Sequence, residues 1–81
     1  MKISVTVNRG VQIHKKTIDK EQVLNEFEFS GSRVSELIDL LGLNSENLGL
    51  IFLNSRVVID PAATVIQEQD NIEFYPLLMG G

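Results

Sequence analysis

The sequence of 81 residues predicts an α+β domain of two layers, a mixed sheet of about five short strands with one main helix packed on one face. Three observations predict it. Residues 2–7 alternate polar and apolar, the period of a half-buried strand. Val34, Leu37, Ile38 and Leu41 recur at the spacing of one helix face. The second half of the chain breaks into short β-prone runs punctuated by Asn54-Ser55, Asp60-Pro61 and Asp70-Asn71.

The elements follow in order. Ile3, Val5 and Val7 form the apolar face of the first strand, and Asn8-Arg9-Gly10 is a turn in which Gly10 takes positive φ. Val11 to Gln22 is polar and weakly patterned, an excursion with a short extended piece. From Val23 to Phe29 alternation returns, with Val23, Phe27 and Phe29 on one parity, and predicts a second strand antiparallel to the first. Ser32 is the expected N-cap of the helix, its hydroxyl taking a first-turn N–H. Gly42 is the expected left-handed C′ residue, with Leu43 folding back onto the helix. Asn44 to Leu48 reads as a polar linker or one helical turn. Leu50–Leu53 and Arg56–Ile59 read as strands joined by the two-residue turn Asn54-Ser55. Asp60-Pro61 ends the second of these, because proline lacks a ladder donor. Residues 62–69 connect to a last strand, Ile72–Leu77. The order is β-β-α-β-β-β, in one domain over 1–81 with a flexible Gly-Gly tail from about 77.

Composition narrows the function. Hydrophobic residues make up 43% and charged ones 22%, a globular balance. The absence of cysteine excludes a disulfide framework, a thiolate metal site and a cysteine nucleophile. Seven Lys/Arg against eleven Asp/Glu give a net charge of −4, so no basic field is present to attract nucleic acid. No apolar run approaches the ~20 residues that span a bilayer, and the start of the chain lacks the apolar stretch of a signal peptide. A cytoplasmic protein that binds neither nucleic acid nor membrane is expected.

Side chains that could carry chemistry are few. His14 is the only histidine and reads as a solvated loop residue, without metal-ligand partners. Asp19, Glu21, Glu26 and Glu28 read as a solvated acidic face, and Lys15-Lys16 is too small a patch for nucleic acid or lipid. No metal and no bound cofactor is expected. The unusual feature is the run Tyr75 to Gly81, which carries no charged side chain although a solvated tail is ordinarily polar. It finishes in Gly80-Gly81, a backbone without Cβ atoms that can thread a narrow channel and present a carboxylate to another protein.

Asn54-Ser55-Arg56-Val57-Val58 and the stretch Asp70-Asn71-Ile72-Glu73-Phe74-Tyr75-Pro76-Leu77-Leu78-Met79-Gly80-Gly81 resemble the C-terminal half of the MoaD/ThiS-type sulfur carriers, which are ubiquitin-like β-grasp proteins. The aromatic-aromatic-Pro-x-x-x-Gly-Gly ending resembles the molybdopterin synthase small subunit more than the thiamine carrier. The likeness extends from about Phe27 to Gly81. The Arg-Glu-x-x-Gly-like signature usual in the molybdopterin branch is absent from Asn8–Gln22. The resemblance implies a protein that is not itself an enzyme. A MoeB/ThiF-like adenylating enzyme would use ATP to activate the Gly81 carboxylate. A sulfur donor such as a persulfide enzyme would convert it to a thiocarboxylate. A MoaE-like large subunit of molybdopterin synthase, or thiazole synthase, would accept the sulfur. Gly80 would give passage, and Phe74, Tyr75, Pro76, Leu77, Leu78 and Met79 would bind the partner, with Tyr75 the outward-facing aromatic. A ubiquitin-like protein modifier and a non-activated β-grasp interaction module share the same features and stay open as alternatives.

Overall fold

The computed structural model describes residues 1–77. Its order is β1 (Lys2–Val7), β2 (Gln12–Ile13), β3 (Lys16–Thr17), β4 (Gln22–Glu28), α1 (Val34–Leu41), a 3-10 turn (Ser45–Asn47), β5 (Leu48–Leu53), β6 (Arg56–Val57) and β7 (Asn71–Pro76). Five of the strands form a mixed sheet in the order β4-β1-β7-β5-β6, and β2 and β3 make a separate hairpin. β7 lies at the centre, parallel to β1 and antiparallel to β5. With one helix on one face, the arrangement is β-grasp-like, as the sequence predicts. No helix of the described residues is long and apolar enough to cross a membrane.

The core lies between sheet and helix. Ile3, Val5 and Val7 of β1, Ile51 of β5 and Ile72 and Phe74 of β7 meet Val34, Leu37 and Ile38 of α1, all buried. Val11, Phe29, Leu43 and Ile66 close its margins. Each of these large side chains stabilises the fold by about 1.5–3 kcal/mol through burial. No polar or charged residue is buried among the described residues.

The helix follows its pattern, and its ends show which local rules win. At the C-terminus Gly42 takes φ 71, with Gly42 N–H bonded to the Asp39 carbonyl and Leu43 N–H to Ile38, the paired bonds of a Schellman cap. At the N-terminus the cap residue is Arg33, not Ser32. The Glu36 carboxylate reaches back and accepts from Arg33 N–H at 2.9 Å, Ser32 N–H at 3.2 Å and the Ser32 hydroxyl at 3.0 Å. An ionised carboxylate is a better acceptor than a hydroxyl, so Ser32 donates instead of capping. These bonds, the Ser32 hydroxyl first, hold the Glu36 carboxyl below its ordinary range.

Other departures have equally local causes. The 11–22 excursion contains a hairpin turned at His14 and Lys15, both at positive φ, with Val11 buried beneath it. In β4, Ile3 pairs with Phe27 but Val5 with Leu24, so one extra residue is accommodated and Glu26 takes φ 53. This β-bulge reverses the alternation. Leu24 and Phe27 pack on the core, while Val23, expected to face it, is exposed. β5 begins at Leu48, earlier than the linker reading allowed. β6 spans only Arg56–Val57, and Ile59 beyond it is 88% exposed. The Asn54-Ser55 turn has the expected form, both residues at positive φ.

Candidate functional site

The site of interest is where the chain leaves β7. Ile72 and Phe74 are fully enclosed on the helix side of the sheet, and alternation carries Glu73 and Tyr75 to the opposite, open face. Phe74, expected among the partner-binding residues, has no exposed surface to offer and belongs to the core. Tyr75 is half-buried on the open face, with its ring edge-on to Phe52 at a centroid distance of 5.5 Å. The Tyr75 hydroxyl donates a long hydrogen bond of 3.4 Å to the Glu73 carboxylate. The Glu73 charge, with desolvation and that hydrogen bond behind it, holds the Tyr75 hydroxyl above its ordinary pKa.

β5 supplies the facing wall. Leu48 pairs with Pro76 and Ile51 with Phe74, so β5 carries one more residue than β7 between these rungs. The irregularity falls at Gly49-Leu50 and leaves Leu50 55% exposed. Leu48, Gly49, Leu50 and Phe52 together with Tyr75, Pro76 and Leu77 line an open, mostly apolar groove of about 710 Å³. Leu77, 46% exposed, stands at its end, and its N–H donates to the Asn47 carbonyl at 2.8 Å. An exposed apolar concavity of this kind ordinarily marks an interaction surface.

The structure thus brings Tyr75, Pro76 and Leu77 to one groove. Leu78, Met79, Gly80 and Gly81 lie outside the described residues. Leu48, Gly49, Leu50 and Phe52 were not among the sequence candidates. The alternation of Leu50 and Phe52 is a signal for an apolar open face, but nothing local in sequence couples it to Pro76.

The remaining polar candidates do not converge. His14 is exposed in the β2–β3 turn, its ring against Gly42. Lys15, Lys16, Asp19, Glu21, Glu26 and Glu28 are exposed as well. The Glu28 carboxylate pairs with the Met1 amine at 2.8 Å, which lowers its own pKa and raises that of the amine. Among the described residues, no group of three His, Asp or Glu side chains is arranged to hold a metal ion. No family model, no curated protein and no solved structure matches the chain.

Proposed function

We propose that this protein is a sulfur carrier whose Gly81 carboxylate is adenylated and then converted to a thiocarboxylate, with molybdopterin synthesis as the destination of the sulfur. One observation carries the reading: the chain leaves a central strand beside an apolar groove, only a few residues before Gly80-Gly81. The fold class and the resemblance of the final segment support it, as does a sequence without cysteine, since the sulfur then rides on the main chain.

In the first step a Gly81 carboxylate oxygen attacks the α-phosphorus of ATP, and pyrophosphate leaves. The resulting acyl-adenylate exchanges a poor leaving group for AMP. With hydrosulfide as the simplest donor, a C–S bond then forms at the acyl carbon and the C–O bond to AMP breaks. The proton passes to solvent. The protein contributes position and recognition: the groove docks on the activating enzyme, and each Å² of apolar surface covered there contributes ~25 cal/mol. Glycine at 80 and 81 keeps the reacting backbone narrow. The activating enzyme, a MoeB/ThiF-like ATP-using partner, supplies the catalytic groups.

Intact-mass spectrometry tests this after incubation with ATP, an activating enzyme and a sulfur donor. The expected result is a mass gain equal to sulfur replacing oxygen, absent from a chain lacking Gly81. The same spectrum reads whether Gly81 carries the free carboxylate that the reaction requires. An unchanged mass, with no adenylate trapped, removes the proposal. Adding a molybdopterin synthase large subunit with its pterin precursor, or thiazole synthase with its own substrate, identifies the acceptor.

A further inference from the structure

Pro76 lies between two glycines from distant parts of the chain. On one side Gly10 stands at φ +99 in the turn after β1, where a Cβ would come within 3.0 Å of Pro76 Cγ. On the other is Gly49, in the irregular stretch of β5. A Cβ there would overlap the Pro76 carbonyl oxygen, and it would lie 3.0 Å from the carbonyl carbon and 3.2 Å from Leu77 Cα. Pro76 itself has no N–H, so the ladder has no donor at that residue. The next donor, Leu77 N–H, is taken by the Asn47 carbonyl. Two residues upstream of Pro76, the backbone N–H and the side-chain amide of Asn8 both donate to the Phe74 carbonyl at 3.0 Å.

We propose that Gly10, Gly49 and Asn47 form a collar around Pro76–Leu77 that fixes the direction in which the chain leaves the sheet. They are positioning residues for the enzyme that takes Gly81, an inference that rests on the carrier reading above. The collar adds little to the core: Ile51, Ile72 and Phe74 are buried upstream of it, whereas Pro76 is half-buried and Leu77 more exposed still. So close a backbone approach where little surface is buried sets geometry more than stability. The atoms that a Gly49 side chain would meet belong to backbone and cannot rotate aside. Gly10 blocks retreat on the far side of Pro76. The strand end must therefore swing, and a misplacement of about 1 Å at a reacting group can cost on the order of 100-fold in rate.

Gly49→Ala, in the full chain, tests the collar through three readouts: the urea midpoint, hydrogen exchange at the Leu77 amide, and steady-state ATP–pyrophosphate exchange with an activating enzyme. The variant is expected to unfold cooperatively and to lose protection at Leu77. Its kcat should fall roughly tenfold or more, a larger change than any in KM, although Gly49 also lines the groove. Leu77→Pro, which removes the donor to Asn47, should show the same kcat loss relative to Leu77→Ala, which retains it. Should Gly49→Ala not fold, this second pair decides alone. Unchanged kcat, or a defect expressed wholly in KM, overturns the positioning role. Unchanged protection at Leu77 in Gly49→Ala overturns the collar itself. If the wild-type chain is never adenylated, the carrier reading fails and takes the positioning role with it, while the exchange comparison still decides the collar.

Discussion

Phe74 and Tyr75 are adjacent aromatics with opposite fates, and substituting each separates the two faces of β7. Phe74 is fully buried in the core, next to its register partners Val7 of β1 and Ile51 of β5, so truncating it leaves a cavity there. Phe→Ala at such a site costs about 3–5 kcal/mol. An 81-residue domain has about 4–12 kcal/mol in total, so the alanine variant risks unfolding outright. Phe74→Leu is the informative change, because leucine keeps much of the volume and lowers the cost to about 1–2 kcal/mol. With a urea m-value of about 1 kcal/mol/M for a chain this small, the midpoint should fall by about 1–2 M. Tyr75→Leu removes a half-buried ring from the open face, and its midpoint should move by less than half as much. If the protein is the carrier proposed above, activation kinetics should sort them the opposite way: Tyr75→Leu raises the KM of an activating enzyme for it, and folded Phe74→Leu leaves that KM unchanged. Equal midpoints for the two variants, or a KM effect confined to Phe74→Leu, would refute the assignment of the two faces.

Two further predictions concern the frame that holds the site. The folded-state pKa of Glu36 lies below its ordinary value of 4.5, so its bonds to Ser32 and Arg33 stabilise the fold above the unfolded pKa and lose that contribution as pH falls through the folded one. Glu36→Gln should flatten the loss of stability below about pH 4.5 in an acid titration followed by circular dichroism, and a variant with the wild-type slope would count against the cap. Ser55 holds φ 68 in a two-residue turn where Asn-Gly is the preferred pair, so Ser55→Gly should stabilise by about 0.5–1 kcal/mol, seen as a higher Tm in calorimetry. A lower Tm would show that the Ser55 side chain contributes more than its backbone costs.

The sequence discloses whatever short-range periodicity determines. The helix from Val34 to Leu41 and its Gly42 cap are legible because both depend on residues within two turns of each other. The Asn54-Ser55 hairpin is legible because turn chemistry is local. The β4 bulge is not, since the reversal at Glu26 arises from pairing with β1, and alternation counted along β4 alone assumes an unbroken register. Ser32 misleads for a different, local reason: the Glu36 carboxylate four residues on accepts from its hydroxyl, a competition that cap preference alone does not register. At the site, the uncharged run from Tyr75 onward is visible in the letters. Its opposite wall is not: Asn47, Gly49 and Leu50 face Pro76 and Leu77 only through a long-range antiparallel pairing, and Gly10 approaches from a third segment.

The central place of β7 ties the site to the fold. An edge strand is bonded on one side and can fray without disturbing the core, as the short β6 and the exposed Ile59 beyond it illustrate. β7 is bonded on both sides, by β1 and β5, and carries the two buried side chains Ile72 and Phe74 on one face. Its path is therefore set by the whole core up to Phe74. Only at Pro76 does the ladder lose a donor, and there the restraint passes from strand pairing to Gly10, Gly49 and Asn47. The segment that leaves the sheet at Pro76–Leu77 therefore has a fixed origin relative to the groove beside it. On the proposed carrier role, an enzyme that grips the groove would find the departing backbone at the same place and heading in every molecule, the condition for acting on a glycine that has no side chain by which to be recognised.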